Sequence, residues 1–443
     1  MRTAIVIGSG AGGATVAKEL QGPYDVTVLD AGRPYRRFRS DRRTIDLIGR
    51  SRLLFDPRCI AVPYPAMRAE RADGMVIVRG IALGGTTTVA TGNGLRADDD
   101  LRAIGLDLDE EFAEIAGEIP VSTEHRRRWH PLTRRLFRVA DDLGLAPQPT
   151  PKMGDAARCR HCGRCVLGCP YGVKWDARAF LDVARRRGAR VRGGSRVDRL
   201  VIERGAAIGV VTAGPTPRIV EADLVVVAAG GFGTPAILER SGIACDPTLT
   251  VDPVLTVAAQ LPGAWQCNEL EMPFVVRRDR YILSPYFDWL SYVLDPRWRH
   301  APQDIVGVMV KIADEGGGRV DGRRVHTHLT PTDTERLAEG AALAREVLGG
   351  IGVDPASTFE GVVNGGHPGG TLPLTRSSAR TLHDDRLPEN VFVADATLFP
   401  RSLGLPPILT IVALAKRVAR VILESAGGPR DGRTATGAPA SAA

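Results

Sequence analysis

The sequence predicts an α/β fold, a Rossmann-like layer interleaved with an α+β region, on three observations. The chain opens on an apolar strand, a glycine-rich turn and a helix. A second strand, glycine pair and helix recurs near residue 230. Between this and a closing strand and helix lies a long block of alternating strand patterns that does not fit such a layer. The 443 residues are enough to bury a large core and, at roughly 150 residues per domain, allow two or three domains.

Element by element, 3–8 reads as a strand, 9–20 as turn and helix, and 24–32 as a second strand, which together make a βαβ unit. An irregular Arg/Pro-rich stretch runs from Arg33 to Met75, then a strand at 75–79 and a Gly/Thr-rich segment at 80–94. Helices are expected at 109–119, 131–143 and 177–187, and short strands at 189–192 and 198–203. A buried strand at 223–229 ends in Gly230 and Gly231 and leads to a helix at 235–241. The block 246–362 carries strands near 280–283 and 304–312. It also carries a helix opened by Thr332, with Glu335 at capping-box spacing. A strand at 391–394 and a long helix at 408–425 return to the first layer. The expected division is therefore a cofactor layer of 1–100, 150–245 and 363–425, a substrate or cap region of 101–149 and 246–362, and a disordered tail at 426–443, whose Gly/Ala/Pro/Thr/Ser composition lacks periodicity. Tyr281, Tyr286, Phe287, Trp289 and Tyr292 fall in the substrate region and read as core before pocket.

Composition narrows the function classes. Apolar residues make up 44% and charged residues 25%, and no apolar run is long enough to cross a bilayer. The strand is already under way by Thr3, with no leader pattern, so a soluble, cytoplasmic protein is expected. The net charge of +7 rests on 53 arginines against 5 lysines scattered along the chain, a pattern that argues against a nucleic-acid partner. Arg126, Arg127, Arg128, Arg134 and Arg135 form one local cluster, read as a solvated helix face.

Gly8, Gly10 and Gly13 form G-x-G-x-x-G directly after the first strand, and Asp30 ends the next one. Gly8 permits the tight turn, Gly10 lets a pyrophosphate approach the backbone, and Gly13 lets helix pack on strand. The helix N-terminus offers unpaired N–H groups to phosphates, and Asp30 can accept from a ribose hydroxyl. The turn itself does not separate FAD from NAD.

Other segments do. VIGSGAGG with VLDAG, then RGIALGGTTTVATGNGLR (79–96), VVVAAGGFGTPAILERSGI (225–243) and ENVFVADATLFPRSLGLPPILTIVALAKRVA (389–419) follow one another in an order that resembles the FAD-dependent glucose–methanol–choline (GMC) oxidoreductases. The resemblance implies that Gly84, Gly85 and Thr86, and later Asp395, Ala396 and Pro407, approach FAD. Some members attach FAD through a histidine where this chain runs Thr86-Thr87-Thr88-Val89-Ala90, so the FAD is expected to be non-covalent.

Gly366-His367-Pro368-Gly369-Gly370-Thr371 resembles the family's H-x-x-G-T element, whose histidine faces the flavin. Imidazole suits removal of an alcohol proton near neutrality, so His367 is the expected general base, with hydride passing to flavin N5. A second His or Asn usually follows in a G-x-[NH] element. Here the chain reads Gly404-Leu405-Pro406-Pro407, and proline brings neither a side-chain donor nor an N–H. Asn93, Asn364, His326 and His328 are the polar candidates to replace it.

Cys159, Cys162, Cys165 and Cys169 before Pro170 spell C-x2-C-x2-C-x3-C-P, the bacterial ferredoxin run. Three readings are open: an iron–sulfur cluster ([4Fe–4S] or [3Fe–4S]), a structural zinc, or unmetallated thiols. The segment GRCVLGCPYGVKWDA also resembles cluster-bearing bacterial sugar dehydrogenases of the same family. Together these readings lead to an FAD-dependent dehydrogenase. It would oxidise a CH–OH group of a small-molecule alcohol, sugar or biosynthetic intermediate and pass electrons through the cluster to an external acceptor, a protein or a quinone. An O2-using oxidase and a non-catalytic electron-transfer flavoprotein are the alternatives.

Overall fold

The computed structural model describes residues 1–35, 44, 47, 56–322 and 324–427. Residues 428–443 of the expected tail, and part of the irregular stretch after Arg33, lie outside the described residues. The expected α/β architecture is present. Strand β1 (Arg2–Ile7), helix α1 (Ala11–Leu20) and strand β2 (Tyr24–Asp30) form the opening unit. In a five-stranded parallel sheet, β1 lies between Leu224–Val227 and β2. Val391–Val393 and Arg190–Gly193 form the two edges. Helix α1 packs on β1, β2 and Leu224–Val227, and strand Ala206–Thr212 also packs on Leu224–Val227, so the central strands are buried and read as continuous apolar runs, AIVI and LVVV.

Helix α1 packs against the final helix Ile408–Gly427 and against Arg178–Arg186. Helix Asp109–Glu118 is fastened to the final helix where the buried Glu111 accepts from Arg417 at 2.5 and 2.8 Å. Lys416 joins the same assembly by pairing with Glu19 at the end of α1 and with Glu114. Among the described residues, no helix is long and apolar enough to cross a membrane.

The second sheet is mixed and larger. Its path runs Met67–Ala72, Met75–Gly80, Asn364–Gly365, Val254–Gln260, Ile305–Ile312, Tyr281–Pro285, Phe274–Arg277 and Gln148–Pro149. Helix Pro331–Gly350 backs it closely, since a Cβ at Gly340 would come within 2.3 Å of Val310 Cγ1. This helix is capped by Thr330 and Asp333 rather than by the expected Thr332 and Glu335. Pro331, with its preset φ and missing N–H, takes the first helical position and so moves the start back two residues. The expected helix at 235–241 likewise begins earlier, at Gly230, whose positive φ of 78° makes the turn out of the strand. Phe287, Trp289 and Tyr292 are buried and pack on one another at ring-centroid distances of 4.6–5.9 Å, with Trp298 6.1 Å from Phe287, so these aromatics are core.

Two pairings bring the sheets' chemistry to one place. Val254 lies opposite Lys311 in the antiparallel pair, and an isolated bridge joins Thr250 to Gly369. The segment before strand Val254–Gln260 is thereby held between Lys311 and the loop bearing His367.

Candidate active site

The glycine turn is built as its spacing predicts. Gly8 has φ +98°, and a Cβ there would sit 2.2 Å from Ala228 O. A Cβ at Gly13 would sit 2.2 Å from Gly8 O. At Gly10 a Cβ would meet nothing within 4 Å, so this face of the turn opens onto free space. Helix α1 has no side-chain cap, which leaves its first N–H groups for a ligand. Gly84 donates its N–H to Ser9 Oγ at 3.0 Å, and Gly85 lies against Gly10, so the 80–94 segment lines the same space. Thr86 Oγ1 accepts from Gly80 N at 3.2 Å and fixes the bend.

Asp30 accepts from Ser9 N, Ser9 Oγ and Gly32 N at 2.6–2.8 Å. That leaves a carboxylate acceptor position for a hydroxyl. Burial raises its pKa, and those hydrogen bonds oppose the rise.

Asp395 is buried and fills its four acceptor positions: Gly230 N and Thr234 Oγ1 on one oxygen, Thr397 N and Oγ1 on the other. Its carboxylate therefore ties the second glycine turn to the closing segment. Ala396 O accepts from Gly370 N at 3.1 Å, and a Cβ at Gly231 would meet Pro368 O at 2.1 Å, so the His367 loop is clamped between both. Pro407 opens the final helix, its carbonyl accepting from Ile411 N.

His367 does not stand alone. Its Nδ1 lies 3.2 Å from Asp252 Oδ2, which also pairs with Lys311 Nζ at 2.5 Å. The other oxygen, Oδ1, accepts from Ser402 Oγ and from Gly404 N at 3.1 Å. Asp314 lies behind, accepting from the N–H groups of Val251 and Asp252. Asp252 has φ +53°, a left-handed conformation sparsely used by residues with a Cβ, so the backbone is strained where this carboxylate is placed.

Charge and burial set the protonation states. Burial, reinforced by Lys311 and opposed by Asp252, lowers the His367 pKa below 6.5, so the ring is neutral at pH 7. Asp252 is held well below the usual carboxylate range: Lys311 and His367 overcome a desolvation that acts the other way. Burial, and then Asp252, push Asp314 up to about 6. A neutral imidazole with Nδ1 held by a carboxylate presents Nε2 as a proton acceptor, and no partner occupies Nε2 among the described residues. Sequence reasoning missed Asp252, Lys311, Asp314 and Ser402. The one available signal was a lone lysine in an otherwise apolar strand, IVGVMVKI. None of Asn93, Asn364, His326 and His328 bonds His367; Asn93 is taken by Lys152 and Met272.

The arrangement of the cysteine loop lends no support to a metal cluster. All four thiols are free and line one cavity of about 50 Å3, yet among the described residues no three His, Cys, Asp or Glu side chains are grouped to hold a metal ion. The spacing brings the sulfurs to a common cavity without assembling a ligand set, and the loop around them is braced from outside. A Cβ at Gly163 would meet Cys267 O at 2.2 Å, and Trp289 Nε1 donates to Gly163 O at 2.7 Å. Lys174 Nζ donates to the carbonyls of Thr87, Thr88, Ala90 and Cys165, and Lys152 Nζ to Asn93 Oδ1 and Glu271 O. Arg128, from the arginine cluster, donates to Cys159 O at 2.8 Å.

A parallel layer with an open glycine cradle, joined to a second sheet that delivers a partly exposed histidine backed by a buried Asp–Lys pair, defines a dinucleotide-dependent oxidoreductase. The GMC oxidoreductase family model matches residues 3–254, more than half of the chain, and the chain belongs to that family. It is 25% identical over 427 residues to an uncharacterized protein of Methanocaldococcus jannaschii, covering 94% of this chain and 99% of the relative. It is 29% identical over 494 residues to an uncharacterized GMC-type oxidoreductase of Mycobacterium tuberculosis, covering 94% and 75%. The fold matches that of pyridoxine 4-oxidase from Mesorbium loti with a TM-score of 0.70 at 17% identity, over 96% of this chain and 99% of that one.

Membership implies FAD, and the cradle fits its diphosphate: free space at Gly10, an uncapped helix start and an acid with an acceptor to spare. Gly10→Ala is therefore expected to leave stability of the flavin-free protein within about 0.5 kcal/mol of wild type while FAD content falls. Gly13→Ala, which drives a Cβ into Gly8 O, should lose stability itself. Flavin absorbance beside thermal melts of the stripped proteins separates the two.

Proposed function

We propose that this enzyme oxidises the CH–OH group of a small alcohol, sugar or biosynthetic intermediate, with His367 as the base. The observation that carries this reading is the neutral, partly exposed imidazole whose Nδ1 is held by the buried Asp252. FAD, when bound without a covalent link, supplies the hydride acceptor. His367 Nε2 takes the hydroxyl proton as hydride leaves the carbon, and Asp252 stabilises the imidazolium that results. Gly8, Gly10, Gly13, Asp30, Gly84, Gly85 and Thr86 form the dinucleotide side of the site; Asp395, Ala396 and Pro407 form the closing side. On this reading 1–100, 150–245 and 363–425 hold the cofactor and 246–362 shapes the substrate side. Residues 101–149 are shared, since Asp109–Glu118 is bonded to the final helix and Pro131–Asp142 packs on Pro331–Gly350.

The acceptor is read as an external protein or quinone, with O2 as the alternative, which the name of the structural neighbour as an oxidase favours. An iron–sulfur cluster is the more specific reading of Cys159, Cys162, Cys165 and Cys169. Its support is content and charge: four free thiols line one cavity with the buried Lys152 and the half-buried Lys174, whose ammonium groups also feel the Glu271 carboxylate. Such cations call for nearby negative charge, which thiolates would provide. The ligand geometry does not support the cluster, and no step is assigned through it.

One preparation, purified without air, tests these readings. Alcohol-dependent bleaching of the flavin, no H2O2 on admitting air and about three to four irons per chain are expected. H2O2 release at the rate of turnover would make the enzyme an oxidase, and iron-free protein would leave the loop as zinc or plain thiols. Reduction only by a protein donor, with no alcohol active, would make the protein an electron relay.

A further inference from the structure

We propose that Lys311 and Asp252 act as a positioning pair that holds His367 in its Nδ1–H tautomer from the buried side of the ring. The proposal rests on His367 being the base. Lys311 and His367 bond the same oxygen of Asp252, at 2.5 and 3.2 Å, so ammonium and imidazole lie no more than about 5.7 Å apart. Lys311 takes the shorter contact and is 2% exposed, so it cannot reach substrate; it acts on His367 through Asp252. Asp252 can only accept, so the hydrogen it shares with His367 must be the one on Nδ1. That leaves the lone pair on Nε2, the nitrogen on the open side.

The rest of Asp252 bears on Pro406. Its Oδ1 accepts from Gly404 N and Ser402 Oγ, which anchors the turn that runs into Pro406, Pro407 and the final helix. A buried carboxylate thus links this turn to the histidine, holding the turn with one oxygen and the ring with the other. The charged groups facing His367 are Asp252, from the segment before Val254–Gln260, and Lys311, from Ile305–Ile312, with Asp314 one layer behind them. Lys311 lowers and Asp252 raises the affinity of the ring for a proton, so removing each alone moves the titration in opposite senses.

The test uses the FAD-loaded full chain labelled with 13C,15N-histidine, read by NMR against pH, with the His367 signal identified by its loss in His367→Gln. Wild type is expected to show the Nδ1–H tautomer and a midpoint below 6.5. In Lys311→Met the midpoint should rise by about one pH unit or more, and in the Asp252→Asn/Lys311→Met double variant that rise should be absent. A midpoint unmoved in Lys311→Met overturns the proposal. If that variant fails to bind FAD, an Nε2–H tautomer in wild type overturns it equally. Full activity in His367→Gln would overturn the base assignment and leave the titration result to stand or fall by itself.

Discussion

Replacing His367 by glutamine is expected to lower the rate of flavin reduction by alcohol about 10²–10⁴-fold while FAD stays bound. Glutamine preserves the size and polarity of the side chain and can still donate to Asp252, so the loop clamped between Gly231 and Ala396 keeps its place. What disappears is a group that takes up a proton near neutrality. Because the imidazole is already neutral at pH 7, wild-type kcat/KM should fall only as pH drops through a value below 6.5 and should be flat above it. The variant should lose that acid limb along with its rate. Single-turnover reduction measured from pH 5 to 9 shows both, and a variant that keeps either one would remove His367 from the proton transfer.

Asp252→Asn is expected to destabilise the protein by about 3–5 kcal/mol, the largest stability effect of any single polar substitution at the site. Asparagine is nearly isosteric and tolerates the left-handed φ of +53°, so the backbone strain is unchanged and the charge is isolated. It leaves the Lys311 ammonium, 2% exposed, without its counter-ion. Adding Lys311→Met removes the orphaned charge and should recover most of the loss. Urea unfolding at fixed, saturating FAD compares the three proteins on one scale. The sign with pH follows from the depressed carboxylate: Asp252 stabilises the fold above its ordinary pKa of 3.8, and the contribution is lost only as pH falls below that value. The asparagine variant should therefore approach wild type in acid.

The cofactor layer was legible because its signals are local. Gly8, Gly10, Gly13 and Asp30 lie within one βαβ unit, where spacing alone dictates who faces the turn. His367 was legible from its neighbours Gly369, Gly370 and Thr371, which announce a tight loop. Its partners were not, because register decides them. Asp252, 115 residues earlier, reaches His367 only through the Thr250–Gly369 bridge, and Lys311 reaches Asp252 only through the Val254–Lys311 pairing. No short-range pattern encodes either pairing, and a lysine at the end of an apolar strand reads from sequence as an edge. The cysteine run shows the converse. Its spacing is a strong local signal, but the loop is seated by Gly163 against Cys267 and by Trp289 on the Gly163 carbonyl, contacts made more than a hundred residues along the chain.

The strand order of the parallel sheet has a consequence for biosynthesis. β1 is made long before its partners in the sheet: its neighbour on one side is Leu224–Val227, and the edge beyond that is Val391–Val393. At the usual rates of bacterial or eukaryotic synthesis, roughly 20–80 s pass between the emergence of the first strand and the last. During that interval the opening unit presents an unpaired edge and an apolar face on α1 that only Ile408–Gly427 will cover. A nascent chain therefore carries that edge uncovered until Leu224–Val227 is made and that face uncovered until the final helix is made.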